Sequence, residues 1–363
     1  MHDDWCQTDP LPLHGGDWAS YQRKHGAMPL DFSASVSPLG LPPAVRAAAV
    51  AALDDADRYP DPSCAVLRGA LAREHAVVPS WVLCGNGAAD LIYRLVYALK
   101  PVRALLCAPT FAEYACALGQ VGCAVDYLLL SASNDFALPV HRLLEAEGVA
   151  PDLVVLCEPN NPTGRTTPRD QLERVFEHCA RTQTTVLVDE CFNDFLDDPA
   201  AHTVVPLLGR YPNVVVLKAF TKLYAMAGLR LGYALCSNEG FLAALERAGA
   251  PWGVSAVAQA AGLAALEARD YREAVRALVR EERPYLAAAL EDLGCWVIPG
   301  EANYLLFWCR EPRLRSLLEL RGILVRDCAN FRGLGPGWYR VAVRTRAHND
   351  RLLAAIREVL PRG

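Results

Sequence analysis

Short apolar runs punctuate the chain at Trp81–Cys84, Arg103–Ala108, Leu153–Cys157, Thr185–Val188, Val214–Leu217 and Leu231–Cys236. Apolar residues on consecutive positions, rather than alternating ones, describe strands buried on both faces. Between them lie stretches with helical spacing: Ala89–Ala98, Thr110–Gln120, Arg169–Thr182 and, less regularly, Ala200–Leu208. Strand and helix in alternation predict a mostly parallel sheet sandwiched between helices, an α/β architecture.

After Gly249 the texture changes. A helical region from Val254 to Leu293 leads into strand-like segments at Trp296–Ile298, Tyr304–Phe307, Ile323–Val325 and Trp338–Val343, then a last helix near Asn349–Leu360. Residues 1–40 are rich in Pro and Gly, with no helical period before Pro42. The expected organisation is an N-terminal arm over 1–40, a large domain over 41–249 and a smaller C-terminal α+β domain over 250–363.

Composition narrows the function classes. Charged residues make up 21% and the net charge is −5, so neither nucleic acid nor an acidic membrane surface is expected as a partner. No window approaches ~18 consecutive apolar residues. The first residues, Met1-His2-Asp3-Asp4-Trp5, lack the basic and then apolar run of a secretion signal. A soluble cytoplasmic protein is expected. Of 13 cysteines no two stand closer than Cys116 and Cys123, and many fall in apolar runs. Reduced, buried thiols are expected, with neither a disulfide framework nor a metal site.

Four segments carry chemistry. Cys84-Gly85-Asn86-Gly87-Ala88-Ala89 turns from a strand into a helix and offers free backbone N–H groups to a phosphate. Pro159-Asn160-Asn161-Pro162-Thr163-Gly164 is a turn after a buried strand. In Val188-Asp189-Glu190, carboxylates end an apolar run, where burial demands a cationic partner, at the strand ends where α/β sheets bind ligands. Finally Phe220-Thr221-Lys222-Leu223 follows a strand, with Arg230 eight residues on.

In this order and spacing the segments resemble the fold-type I pyridoxal-phosphate enzymes, the aspartate and histidinol-phosphate aminotransferase group, over nearly the whole chain. The resemblance implies pyridoxal 5'-phosphate carried on Lys222 as a Schiff base, with Asp189 on the pyridine nitrogen and Asn161 on the ring 3-oxygen. It implies Gly87, Ala88, Thr221 and Arg230 around the cofactor phosphate, and Phe111 stacked on the ring. Tyr59 would reach the cofactor of a neighbouring subunit, which implies a homodimer. Desolvation and Arg230 are expected to lower the pKa of Lys222.

Within that group, His14-Gly15-Gly16-Asp17, the stretch Leu30–Gly40, and the segments Val325–Leu334 and Tyr339–Arg344 resemble the threonine-phosphate decarboxylases of the cobalamin pathway. That resemblance implies a small phosphorylated amino acid as substrate. Arg340 would take its α-carboxylate and Arg326 with His14 its phosphate, since guanidinium pairs bidentately with both anions. Two departures stand out: Ser35 where asparagine is common near the substrate, and Ala219 where a hydroxyl residue often bonds the phosphate. Cys191 is expected to pack rather than react. The implied activity is decarboxylation of O-phospho-L-threonine to aminopropanol phosphate. A histidinol-phosphate type of aminotransferase is the alternative, and a non-enzymatic regulator fused to a DNA reader a distant third, because no basic reader segment is visible.

Overall fold

A computed structural model describes residues 14–144 and 149–360. The Met1–Trp5 segment and the first thirteen residues of the expected arm lie outside the described residues.

Seven strands form the central sheet. In spatial order they are Val82–Gly85, Gly232–Leu235, Val214–Ala219, Thr185–Asp189, Leu153–Cys157, Arg103–Ala108 and Ala124–Leu129. All neighbours pair in parallel except Gly232–Leu235, which runs antiparallel to both strands beside it. The interior strands Leu153–Cys157 and Val214–Ala219 are buried at every position, as their unbroken apolar runs require. Helices cover both faces, including Gly87–Leu99, Glu113–Gly119 and Arg169–Arg181. Two apolar clusters result, one on each side: Phe176, Val186 and Val216 belong to the first, Leu91, Tyr114 and Leu187 to the second.

A smaller antiparallel sheet follows in the order Arg326–Asp327, Trp338–Ala342, Tyr304–Trp308, Trp296–Val297. It packs with the helix Arg346–Val359 around a third cluster that includes Phe32, Phe307 and Tyr339. The N-terminal segment joins this part: Leu30–Asp31 pairs in parallel with Ile323–Leu324, and the Ala342 N–H donates to the Phe32 carbonyl at 2.9 Å.

Elements that differ from the sequence expectation include these four. The edge strand Ala124–Leu129 is new; its alternating exposure gives it no continuous apolar run. The helix Trp18–His25 is also new, capped by Asp17 at its start and by left-handed Gly26 (φ 70°) at its end. The long region after Val254 divides at Ala268 into Ala256–Glu267 and Arg269–Asp292. The region over 200–208 is a four-residue helix, Pro199–His202, and a separate turn, Val205–Leu207, because extended Thr203 and the missing N–H of Pro206 interrupt it.

Candidate active site

The carboxyl ends of the parallel strands open into a cavity of about 200 Å³. Lys222, Asp189 and Asn161 line it, with Ala88, Phe111, Thr221 and Arg230. His14, Ser35, Arg326 and Arg340 line the same space. Gly87 stands just behind, against Arg230. Tyr59 does not reach this cavity; it is 80% exposed and stacks on Trp252 with ring centroids 4.6 Å apart.

Two lysines four residues apart, Lys218 on the Val214–Ala219 strand and Lys222 in the helix Phe220–Leu223 that follows, have different surroundings. Lys218 is buried between Glu190 at 3.2 Å and Asp194 at 3.4 Å. Those carboxylates overcome the cost of burial and push its pKa up to about 12. Lys222 faces the cavity with its Nζ 5.5 Å from the Phe192 ring centroid. Burial lowers its pKa, and the charges of Arg340 and Arg230 add to the effect. An amine that more readily loses its proton is a competent nucleophile toward carbonyl carbon. The neighbouring carboxylates divide in the same way: Asp189 faces the cavity, while Glu190 turns to Lys218, Thr203 and the Val204 N–H.

Asp189 is held at both oxygens. The Tyr114 hydroxyl donates to Oδ2 at 2.6 Å and the Cys191 N–H to Oδ1 at 2.9 Å. Tyr114 lies 75 residues away in sequence, and no local signal announced it. Burial drives the Cys191 thiol well above its ordinary range, so it packs as a neutral group.

At the opposite wall the helix Gly87–Leu99 begins. Gly87 adopts φ +80°, and a Cβ there would sit 2.5 Å from Nη2 of Arg230. A Cβ on Gly232 would meet the Ala88 nitrogen at 2.6 Å. Only glycine at both positions lets the guanidinium and the helix start converge. A helix N-terminus, Arg230 and Thr221 converge here, the kinds of group that can hold a phosphate.

Arg326 and Arg340 stand directly opposite each other on neighbouring antiparallel strands. Opposed residues share a face of the sheet, and both side chains are buried in the cavity wall. Arg340 donates through Nη1 to Asn161 Oδ1 and through Nη2 to the Ser33 carbonyl at 2.9 Å. Arg326 donates to Asn330 Oδ1 at 2.8 Å and lies over the Phe331 ring. Burial brings the Arg326 pKa down to about 10, with the Arg340 charge contributing. Like charges placed opposite each other are unfavourable. Two polar atoms here also have no protein partner, Nε of Arg340 and Oγ of Ser35. An anionic ligand would answer both.

Comparison with known proteins bears on which ligands these are. The description "Aminotransferase class I and II" matches residues 27–356. The chain belongs to the class I and II aminotransferase family. Among its family relatives, the threonine-phosphate decarboxylase of Salmonella typhimurium is 40% identical over 96% of each chain. A histidinol-phosphate aminotransferase of Symbiobacterium thermophilum is 37% identical over 90% of this chain and 89% of its own. Among solved structures, the histidinol-phosphate aminotransferase of Sinorhizobium meliloti, in complex with pyridoxal-5'-phosphate, superposes with a TM-score of 0.84 at 25% identity, covering 98% of this chain and 96% of that one. The aspartate aminotransferase of Thermus thermophilus shares the fold, with a TM-score of 0.80 at 23% identity over 94% and 95%. The aminotransferase-family fold thus places this cavity at the strand ends where α/β sheets bind their ligands.

Proposed function

We propose that the chain is a pyridoxal-phosphate-dependent decarboxylase of a small O-phosphorylated amino acid, with O-phospho-L-threonine as the substrate. The cofactor is pyridoxal 5'-phosphate. The cavity fits it: a cavity-facing amine at Lys222, a fixed carboxylate at Asp189, phosphate-binding groups at Gly87, Ala88, Thr221 and Arg230, and an aromatic wall at Phe111. Asn161, whose carbonyl oxygen faces Arg340, keeps its amide N–H groups for the ring oxygen. When bound, the cofactor supplies an electron sink for the bond broken at the substrate Cα.

The observation that carries the substrate class is the opposed pair Arg326 and Arg340. Two buried guanidiniums side by side suit a ligand with two anions, a carboxylate and a phosphate. Arg340 takes the carboxylate, steadied by Asn161 and the Ser33 carbonyl. Arg326 and His14 take the phosphate. Lys222, whose amine faces the cavity, would deliver the proton that replaces CO2 at the substrate Cα. Phe111, Phe192 and Phe331 keep water from that carbon.

The test uses the PLP-loaded protein with O-phospho-L-threonine and no keto acid, following CO2 and aminopropanol phosphate by NMR. Multiple turnovers with equal amounts of both products are expected. The aminotransferase reading, favoured by the 37% identical relative, predicts one conversion of the cofactor to its amine form and a halt until keto acid is added. Tyr59 bears on assembly. Its exposed ring stacked on half-exposed Trp252 fits a subunit interface, and a homodimer in which Tyr59 reaches the neighbouring cavity is part of the proposal. Light scattering on the eluting protein should give twice the chain mass; a monomer with full activity would exclude that role.

A further inference from the structure

His14 is fastened from several sides although its side chain is 45% exposed. Its Nε2 lies 2.6 Å from Oε1 of Glu113, the first residue of the helix Glu113–Gly119. The other oxygen of Glu113 accepts from the Tyr93 hydroxyl at 2.9 Å. The glycines that follow are equally constrained: a Cβ on Gly15 would meet the Ser33 carbonyl oxygen at 2.1 Å, and the Gly16 N–H donates to Ser33 Oγ at 2.8 Å. The ring also packs 5.5 Å from that of Phe111. The His14 contact holds the Glu113 carboxyl below the usual carboxylate range. A carboxylate facing one imidazole nitrogen fixes the proton there and assigns the remaining nitrogen to whatever the ring must bind.

We propose that Glu113 is a positioning residue for the phosphate end of the substrate. It grips Nε2 of His14, so that Nδ1 is the nitrogen presented to the phosphate beside Arg326. To serve both anions the ring must donate from both nitrogens. This rests on the assignment of His14 and Arg326 to the substrate phosphate made above. Glu113 touches neither the substrate nor the cofactor in this scheme; it acts through His14 alone.

The experiment measures binding as well as turnover. The probe is 3-phosphoglycerate, which carries carboxylate and phosphate but no amine, compared with glycerate, which lacks the phosphate; both are titrated calorimetrically into the PLP-loaded enzyme. Glu113→Gln is expected to weaken 3-phosphoglycerate by ~10-fold and to leave glycerate unchanged. The same variant should raise KM for O-phospho-L-threonine by a similar factor while kcat stays within about twofold of wild type. Glu113→Asp, which keeps the charge, should recover part of the loss. The variant carrying both His14→Ala and Glu113→Gln should bind 3-phosphoglycerate no more weakly than His14→Ala alone, because residues acting through one contact are not additive. Additive losses, equal weakening of glycerate, or a wild-type enzyme that does not bind 3-phosphoglycerate would each overturn the proposal. Loss of phosphothreonine turnover with the Glu113 dependence of 3-phosphoglycerate binding intact would overturn the substrate assignment instead.

Discussion

Lys222→Ala is expected to lower turnover by at least ~10⁴-fold and to remove the proposed covalent hold on the cofactor. Borohydride reduction of the wild-type holoenzyme, followed by peptide mass spectrometry, should find the cofactor on the peptide bearing Lys222 and not on Lys218. The expectation rests on the contrast between two neighbouring amines. Lys218 is engaged by Glu190 and Asp194 and is held protonated, with its pKa at about 12; Lys222 is pushed the other way by burial and by Arg340 and Arg230. Lys218→Ala should therefore retain the cofactor linkage yet lose ~3–5 kcal/mol of stability, since it leaves the buried Glu190 carboxylate without its cation. Full activity in Lys222→Ala, or trapping on Lys218, would refute the assignment.

Arg340→Leu is the second large effect. It removes the donor to Asn161 and to the Ser33 carbonyl as well as the proposed carboxylate clamp. A decrease in kcat/KM of about two to three orders of magnitude is expected, ~3–4 kcal/mol. Cofactor absorbance should remain, because Lys222, Asp189 and the phosphate-binding groups are untouched. Arg340→Lys restores the charge but not the planar fork, and recovers only part of the loss. A lysine variant with wild-type efficiency would show that Arg340 is a structural cation rather than a bidentate clamp.

What the sequence showed and what it concealed follow one physical division. The strands at Leu153–Cys157 and Val214–Ala219 were legible because burial on both faces leaves a continuous apolar run. Ala124–Leu129 lies at the sheet edge, where alternate side chains face solvent, and its Asp126 and Tyr127 dilute the signal. The helix Trp18–His25 carried its caps, Asp17 and Gly26, but little apolar periodicity, with Tyr21 its one buried residue. Within the site, Lys222, Asp189, Asn161 and Arg230 were legible from short motifs whose spacing is local. Tyr114 on Asp189 and Glu113 on His14 were not, because contacts across 75 and 99 residues leave no trace in neighbouring positions. The sequence likewise could not show that Arg326 and Arg340 sit in register opposite each other, which depends on how two strands pair.

The bond from Arg340 to the Ser33 carbonyl spans 307 residues, and the pairing of Leu30–Asp31 with Ile323–Leu324 spans nearly as many. A chain emerging from the ribosome completes the central sheet, with Lys222 and Asp189, well before it makes the strand that bears Arg340. The first-made arm must wait for that strand before it has anything to pair with. On the proposed roles, the cofactor residues are therefore synthesised before the substrate clamps Arg326 and Arg340. A nascent chain stalled after the central sheet would carry the residues proposed to take up the vitamin-derived group while lacking those proposed to select an amino acid.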